Sequence, residues 1–318
     1  MTTPNDPKAT HGKRAPVLVA GAAGFLGRSI VRALTESGWP VRGLVRDVSK
    51  GVAVTAAGGV PVLGDVLEPQ SLREATHGCH AIVHVAANPG DEPGIPDLPE
   101  RVRVEGARNL AMTARENRVR RLVVGSGYWV YATRATPIDE GAPVDPQGES
   151  KINYLTERSA LSFHRSNELD VMIVRPGMVY GAGSWFRPVV NAIQAGTYRV
   201  IEGGKNPWSF VSLVDAGTGF CRVLEAGVAG QVYNLVDRAP APWGEFSKYV
   251  ATKLGCPAPG SCTLAEAEAA YGPIVARHLA ASRPAVAAKL EALGWQPSHP
   301  TYRTGIDELL GRWSPHED

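Results

Sequence analysis

The feature that most constrains this chain is a short apolar run followed by three regularly spaced glycines. Residues 17–20 read Val-Leu-Val-Ala, and Gly21, Gly24 and Gly27 follow at intervals of three. Residues 28–37 then carry apolar side chains at the spacing of one helix face. A strand, a glycine turn and a helix in this order predict a phosphate-binding turn, because glycine allows close backbone approach and a helix N-terminus offers free N–H groups. An ordinary strand-to-helix turn is the alternative.

Further apolar runs alternate with helical patterns along the chain. Strands, some with their turns, are predicted at residues 41–45, 60–66, 81–87, 121–126, 170–181 and 232–235. This alternation predicts an α/β fold with a doubly wound parallel sheet and a ligand site at the carboxyl ends of the strands. His84 lies between valines of one strand, so we expect it to be a packed core residue rather than a catalytic one.

Composition excludes several functional classes. The 318 residues suffice for one large domain with an appended lobe, and the net charge of +2, with 33 basic and 31 acidic residues, gives no reason to expect a nucleic-acid partner. The four cysteines form no C-x-x-C pair, so we expect reduced thiols, a cytoplasmic protein and no metal site. Residues 1–14 are polar and no run has the length of a membrane helix, so neither a signal peptide nor a membrane partner is expected.

Motifs later in the chain indicate a family. Residues 175–181 read Arg-Pro-Gly-Met-Val-Tyr-Gly, residues 210–216 read Phe-Val-Ser-Leu-Val-Asp-Ala, and residues 293–297 read Leu-Gly-Trp-Gln-Pro. With the G-x-x-G-x-x-G turn, the chain from Ala15 to Trp313 resembles the extended, epimerase-like branch of the short-chain dehydrogenase/reductase superfamily. The resemblance implies an NADP-binding Rossmann domain over residues 15–181 with 208–237, a smaller C-terminal substrate-binding lobe over residues 182–207 with 238–313, and a disordered tail over residues 1–14.

The resemblance also implies a set of cofactor-binding residues at the glycine turn and the strand ends. They are Gly21, Ala23, Gly24, Phe25, Leu26, Arg46, Asp65, Val66, Ala86, Ala87, Gly125, Lys151, Pro176, Gly177, Met178 and Val179. Arg46 ends the second strand, where an arginine accommodates the 2′-phosphate of NADP and a carboxylate would favour NAD. Asp47 follows it, and an exposed loop arginine is the alternative. We expect NADP (NADPH) as cofactor.

The catalytic pattern of the family is broken in this chain. Family members place a serine or threonine after the fifth strand and then a Tyr-x-x-x-Lys helix, whose lysine binds ribose and lowers the pKa of the tyrosine. Here Gly127 aligns with the usual serine and Ser126 comes one residue early, while Arg103 stands where the family has asparagine. A phenol titrates near pH 10, so a tyrosine without such help is a poor acid at neutral pH.

Three registers place the missing pair differently. The Ser-Lys match at Lys151 puts Gln147 in place of the tyrosine. Counting back from the Arg-Pro motif puts Glu149 and Asn153 at the two positions, and a third register begins at Tyr154. None restores the tyrosine–lysine pair. We prefer the first, with Ser126 and Lys151 as candidate catalytic residues, although a solvated helix lysine explains Lys151 equally well.

Aromatic residues are concentrated around the predicted mouth of the site. The candidate substrate-contacting residues are Ser126, Gly127, Tyr128, Trp129, Trp185, Phe186 and Trp208. Aromatic rings suit a flat polycyclic ligand, whereas a sugar nucleotide would require charged phosphate-binding groups. Core packing is the alternative for each ring. The loop Asn88–Pro99, with four prolines, is expected to act as a lid.

These features together resemble the atypical ketoreductases of aromatic-polyketide (antibiotic) pathways that act on angucyclinone-type ketones. The expected function is therefore NADPH-dependent reduction of a carbonyl of a polycyclic aromatic ketone, with a phenol of the substrate supplying the proton. An NADP-binding regulatory protein without catalysis is one alternative. A sugar-nucleotide epimerase or dehydratase with a displaced tyrosine is the other.

Overall fold

The computed structural model describes residues 14–87, 97–165, 168–183 and 185–312. Its strands are β1 (Val17–Ala20), β2 (Val41–Val45), β3 (Val60–Leu63), β4 (Ala81–His84), β5 (Arg121–Gly125), β6 (Asp170–Pro176), β7 (Met178–Tyr180), β8 (Arg199–Ile201), β9 (Pro207–Trp208), β10 (Phe210–Ser212), β11 (Val232–Leu235), β12 (Ala241–Pro242) and β13 (Gly260–Cys262). Its α-helices are α1 (Phe25–Glu36), α2 (Gly51–Ala56), α3 (Pro69–Thr76), α4 (Leu98–Glu116), α5 (Glu149–Leu161), α6 (Phe186–Gln194), α7 (Leu213–Ala226), α8 (Trp243–Lys253), α9 (Leu264–Tyr271), α10 (Pro273–Ala280), α11 (Ala288–Ala292) and α12 (Tyr302–Gly311).

Seven strands form one central sheet in the order β11-β6-β5-β4-β1-β2-β3, and every pairing in it is parallel. The chain moves outward from β1 through β2 to β3 and then returns to the other side of β1 with β4. The point where the direction reverses lies between β1 and β4, and ligands of such sheets bind at the carboxyl ends beside it. The predicted doubly wound parallel sheet is confirmed.

Helices cover both faces of this sheet. Val17 and Val19 of β1 pack in one core with α1 and α7, whereas Leu18 and Ala20 pack in the opposite core with α3 and α4. Successive residues of a strand point to opposite faces, so a strand buried on both faces is apolar throughout. This explains why β1 reads as a continuous apolar run rather than as an alternating one.

A third core lies under the C-terminal part of the chain and is rich in aromatic rings. Phe210 stacks on Phe246 with ring centroids 4.4 Å apart, and the Trp208 and Trp243 centroids are also 4.4 Å apart. This core draws residues from β9 and β10 as well as from α6, α8 and α12. The division into an NADP-binding domain and a substrate lobe at the predicted boundaries stays a prediction.

Two predicted segments fall wholly or mostly outside the described residues. The tail at residues 1–14 lies there except for Arg14. The proposed lid lies there over residues 88–96, and its last two residues, Leu98 and Pro99, begin α4.

Candidate active site

A cavity of about 1060 Å³ runs along the carboxyl ends of the sheet strands. Its walls include residues that directly follow β1, β2, β3, β4, β5 and β6, and most of those walls are apolar. The volume lies just above the roughly 300–1,000 Å³ typical of ligand pockets. We call the part beside β1–β3 the nucleotide end and the part beside β5, β6 and α5 the reaction end.

The glycine turn forms the floor between the two ends. Gly21 has φ +91°, and a Cβ there would lie 2.7 Å from the backbone nitrogen of Ala86 on the neighbouring strand end. A Cβ on Gly27 would collide with the carbonyl oxygen of Gly21. Helix α1 therefore begins very close to the end of β1. Gly24 caps α1 without a side-chain hydrogen bond, so the first N–H groups of this helix face the cavity.

The nucleotide end carries two basic residues. Arg46 and Lys50 both line the cavity after β2, beside the carboxyl end of β3. The carboxylate of Asp47 accepts a hydrogen bond from the Ser49 backbone N–H at 2.8 Å and so caps a short helical turn. This contact engages the one carboxylate adjacent to Arg46 in sequence. Asp65 also lines the cavity, and its Oδ1 accepts from the backbone N–H of Leu67 at 2.9 Å.

Two backbone turns form the walls of the reaction end. Residues 125–127 leave β5, and the Ser126 N–H donates to the carbonyl of Val174 at 2.8 Å. Residues 176–179 leave β6, where a Cβ on Gly177 would lie 2.5 Å from the carbonyl oxygen of Ser209. Close backbone packing of this kind fixes the position of both turns.

A chain of buried polar contacts holds the first of these turns. The Ser126 hydroxyl donates to Oε1 of Glu157 at 2.5 Å, and Arg175 donates to both oxygens of Glu157 at 2.8 and 2.6 Å. The Arg175 guanidinium lies over the Tyr131 ring, 4.7 Å from its centroid, and the Tyr131 hydroxyl donates to Asn234 at 2.7 Å. The Ser126 proton is therefore directed to Glu157 and not into the cavity.

Helix α5 presents four polar residues to the cavity. Glu149 and Asn153 line it, together with Ser150 and Thr156. The Asn153 carbonyl oxygen Oδ1 accepts a hydrogen bond at 3.0 Å from Nη1 of Arg103, which reaches across from α4. Burial lowers the pKa of Arg103 and the negative charge of Glu149 raises it, so a guanidinium and a carboxylate face one another on this wall.

Tyrosine phenols are poorly placed as acids here. Tyr128 lines the cavity but is buried, and burial raises its pKa far above the usual value. Tyr131 is fully buried, its hydroxyl is bonded to Asn234, and burial raises its pKa to about 12 although Arg175 lowers it. Among the described lining residues, Tyr128 is the one tyrosine.

Comparison with known proteins agrees with this geometry. The sequence pattern of the NAD dependent epimerase/dehydratase family matches residues 17–235, from β1 to β11. The chain belongs to this family. It is an NAD(P)H-dependent oxidoreductase with the extended short-chain dehydrogenase/reductase fold.

Two curated relatives and one solved structure illustrate its neighbours. A 3-diazoavenalumate denitrifying reductase from a Streptomyces species is 30% identical over 306 residues, which cover 91% of this chain and 98% of that protein. A 4-hydroxy-2-methyl-3-oxo-4-farnesyl-3,4-dihydroquinoline-1-oxide ketoreductase from Stigmatella aurantiaca is 28% identical over 235 residues, covering 72% of this chain and 70% of that protein. The human epimerase family protein SDR39U1 (isoform 2), solved with NADPH, has a TM-score of 0.78 at 21% identity, covering 94% of this chain and 100% of that one. This last likeness shows the fold alone.

Most of the predicted cofactor-binding residues of this oxidoreductase line the cavity, and Lys151 does not. Lys151 and Gln147 are exposed and lie outside the lining, whereas Glu149 and Asn153 lie within it. The two residues within the lining are those that the second register places at the tyrosine and lysine positions, and the catalytic assignment of Lys151 stays a prediction. On α5, residues three or four apart share a face, and the face that Glu149 shares with Asn153 is the one turned to the cavity.

Four of the predicted substrate-contacting residues divide between the cavity wall and the aromatic core. Trp129 and Trp185 line the cavity as expected, but Phe186 and Trp208 lie outside its lining in the aromatic core. Phe186 is fully buried, and the Trp208 indole donates to the carbonyl of Ala281 at 3.0 Å. These two rings pack the lobe that supports Trp185 and do not reach the site.

Sequence reasoning also missed several lining residues. Lys50 follows Arg46 by four residues, and its charge beside a predicted phosphate-binding arginine was the available signal. Arg103 was noted at a family asparagine position but was assigned no role. His84 is buried as predicted, and its Nε2 lies 3.1 Å from the carbonyl oxygen of Arg103. A carbonyl accepts only, so Nε2 carries the proton of a neutral imidazole, whose pKa burial lowers to about 4.

In the part of the chain that the structure describes, no helix combines the length and apolar character needed to span a bilayer.

Proposed function

We propose that this protein is an NADPH-dependent ketoreductase that reduces a carbonyl of a flat, polycyclic aromatic substrate. The observation that carries the proposal is the composition of the reaction end. Its walls include the indoles of Trp129 and Trp185, and among the described residues they bring no tyrosine–lysine pair together. Aromatic walls favour an aromatic ligand by stacking, and a site without the tyrosine–lysine pair favours a substrate that carries its own acid.

The residues of the nucleotide end fit a bound dinucleotide. The first N–H groups of α1 have no side-chain cap, and Gly21 has no side chain that would obstruct a ligand, so both features suit a pyrophosphate. Arg46 and Lys50 suit the additional 2′-phosphate of NADP. Because Asp47 is engaged as a helix cap, it competes poorly for ribose hydroxyls. NADPH, when bound, supplies a hydride from its nicotinamide ring.

A hydroxyl on the substrate beside the carbonyl is the proposed proton donor. Tyr131 donates to Asn234 and Ser126 donates to Glu157, so both hydroxyl protons are already engaged within the protein. The protein then contributes orientation of the ketone against the hydride donor, an effect worth up to about 7–11 kcal/mol in well-aligned systems. Trp129 and Trp185 are the side chains proposed to orient the ring system.

A matched pair of ketones tests this function. The substrates are a naphthalenone with a hydroxyl beside its carbonyl and the corresponding methyl ether, each mixed with enzyme and NADPH while the nicotinamide absorbance is followed. We expect the phenolic ketone to be reduced at least about 10²-fold faster, since this is the usual contribution of a positioned acid. Equal rates would refute the assisted mechanism. Binding of NADPH without turnover of any ketone would favour the regulatory alternative.

Glu149 requires its own control because it lies on the cavity wall at the position of the missing tyrosine. If its carboxyl group were the proton donor, Glu149→Gln would abolish reduction of both ketones while the affinity for NADPH stayed unchanged. The assisted mechanism instead predicts that Glu149→Gln retains most of the activity on the phenolic ketone. Loss of that activity would transfer the acid role to Glu149.

Reductive removal of a diazo group is a second candidate, and the lack of a tyrosine–lysine pair among the described residues that line the reaction end also favours it. Hydride addition to an aryl diazonium ion gives an aryl diazene, which releases N₂ and leaves a C–H bond; the NADPH is oxidised and no external proton is consumed. The Streptomyces relative, named as a denitrifying reductase, supports including this class. The ketone remains the first choice, since a guanidinium on the cavity wall suits an oxygen that becomes negative. An aryl diazonium salt in the same assay, with N₂ release measured, distinguishes the two.

A further inference from the structure

Arg103 provides a guanidinium on the cavity wall, and the proposed function gives it no defined contact with the substrate. It is half-buried in the first half of α4, and its side chain extends to α5, where Nη1 donates to Oδ1 of Asn153 at 3.0 Å. A guanidinium carries five N–H donors. Within the described residues, this is the one hydrogen bond of the Arg103 side chain, so further donors remain for a ligand in the cavity.

The contact with Arg103 also sets the orientation of the Asn153 amide. Because Oδ1 accepts from the guanidinium, the NH₂ group Nδ2 points the other way, towards Gly127. A Cβ on Gly127 would lie 3.0 Å from that nitrogen. The missing side chain therefore leaves a gap next to an amide donor, and both Gly127 and Asn153 line the cavity.

The main chain at Arg103 is held by a hydrogen bond from the end of β4. The neutral His84 ring donates Nε2–H to the Arg103 carbonyl oxygen at 3.1 Å, at the carboxyl end of β4. Glu149 is exposed where Arg103 is half-buried, so water screens the carboxylate more than the guanidinium. The more buried of the two charges on this wall is therefore the positive charge of Arg103.

We propose that Arg103 and Asn153 form the donor pair that holds the reacting oxygen of the substrate, an inference that rests on the proposed ketoreductase function. Asn153 donates from Nδ2 into the gap beside Gly127, and Arg103 supplies positive charge and orients the amide. Ser126 cannot take this part while its proton is directed to Glu157. Donors fixed in place before the reaction stabilise a developing charge without reorganising.

The reduction then balances as follows. Hydride adds to the carbonyl carbon, the C–O π electrons move to oxygen, and the resulting alkoxide is held by Asn153 and Arg103. The alkoxide takes the proton of the neighbouring substrate phenol, and the phenolate regains a proton from water after release. NADPH is oxidised to NADP⁺, and the ketone is reduced to the alcohol. Arginine stays charged throughout, because its pKa makes it a stabilising group and not an acid.

Ligand binding provides a test that does not depend on turnover. Naphthalene carboxylate imitates the anionic oxygen, and naphthalene carboxamide is its neutral counterpart; both are titrated into the protein with NADP⁺ while tryptophan fluorescence is followed. The unaltered protein should bind the carboxylate more tightly. In Arg103→Gln, which keeps donor groups but removes the charge, carboxylate affinity should fall roughly tenfold or more while carboxamide affinity changes less than about twofold.

Kinetics provide the second readout. We expect Arg103→Gln and Asn153→Leu to lower kcat by about 10²-fold with little change in the KM for NADPH, as for loss of one donor to a developing oxyanion. Arg103→Lys should recover part of the kcat, since it restores the charge. The matched control is Arg108→Leu, an exposed arginine on the same helix outside the cavity lining, which should leave binding and kcat unchanged.

Different outcomes would contradict the donor pair alone or the ketoreductase function as well. If both naphthalene ligands bind but Arg103→Gln weakens neither or both alike, the donor pair is refuted and the ketoreductase proposal stands. If neither ligand binds and no aromatic ketone is reduced, the proposed function fails and the inference fails with it. Unchanged carboxamide binding in the variants shows that the site is still folded.

Discussion

The two ends of the cavity are built differently. The nucleotide end is defined by backbone: a glycine with φ +91°, a second glycine whose Cβ would collide with a carbonyl, and the open start of α1. The reaction end is defined by side chains from distant parts of the chain, as in the contact between Arg103 and Asn153, fifty positions apart. A backbone conformation that requires glycine can be recognised from the local sequence, whereas a contact between side chains that are distant in sequence cannot.

This difference predicts where substitutions should affect stability and where they should affect only ligand choice. At the reaction end, supporting residues are buried and charged, so removing one leaves its partner desolvated. At the nucleotide end, Arg46 and Lys50 are exposed side chains that line the cavity, so their loss should alter nucleotide affinity with little change in stability.

The largest effect is expected from Arg175→Leu. The Arg175 and Glu157 side chains are only 6% and 3% exposed, and the substitution leaves the Glu157 carboxylate buried without its ion-pair partner. Breaking a buried pair in this way costs about 3–5 kcal/mol of the free energy of unfolding, measured by urea denaturation. The control is Arg238→Leu at the exposed pair with Glu291, expected to cost no more than about 1 kcal/mol. Similar losses in both variants would contradict the contrast between the two ends.

Arg46→Asp should change cofactor choice with little loss of stability. Loss of a charge-assisted contact to the 2′-phosphate of about 1.5–3 kcal/mol lowers NADPH affinity roughly 10- to 100-fold, and the new carboxylate should favour NADH. Fluorescence titration with both nucleotides measures this. Lys50→Ala should weaken NADPH binding in the same direction without improving NADH binding. Tighter binding of NADH than NADPH by the unaltered protein would overturn the assignment.

Stability should also depend on pH through Asp237, a buried residue outside the cavity lining, two residues after β11. Burial raises the pKa of Asp237 to about 8, although the Ala239 N–H lowers it, against 3.8 for the free side chain. Between about pH 4 and pH 8 the folded state therefore holds a proton that the unfolded state has lost. Stability present below pH 4 is then lost as the pH rises, by at most about 1.4 kcal/mol per pH unit. Thermal melts across this range should show a falling Tm, and Asp237→Asn should flatten the slope.

The smallest effect is expected from Tyr131→Phe. It removes the hydrogen bond to Asn234 and should cost about 0.5–1.5 kcal/mol in urea denaturation. Turnover of the phenolic ketone should fall far less than the 10²-fold or more that follows loss of a general acid. A Tyr131→Phe enzyme that is stable but inactive would show that Tyr131 is the displaced general acid. It would contradict the proposal that the substrate, and not a tyrosine of the protein, supplies the proton.

The sequence was informative wherever local spacing decides the structure. The glycine turn, the strands of the central sheet and the family pattern are all local, and each was predicted. Local spacing does not fix the register of the family pattern on α5, because the irregular segment between Tyr131 and Glu149 hides how many residues precede the helix. Aromatic patterning likewise failed to separate Trp185, which lines the cavity, from Phe186, which is core. Adjacent helix positions differ in direction, and only the packing shows which one faces inward.

The buried contacts from Ser126 through Glu157 and Arg175 to Asn234 have a consequence for how such a protein can diversify. They hold the turn after β5 with atoms that the proposed reaction never uses. A substitution at Glu149, Asn153 or Gly127 can therefore exchange the reacting groups while this support remains intact. An exchange of the reacting groups on this scaffold therefore needs no compensating change in the core.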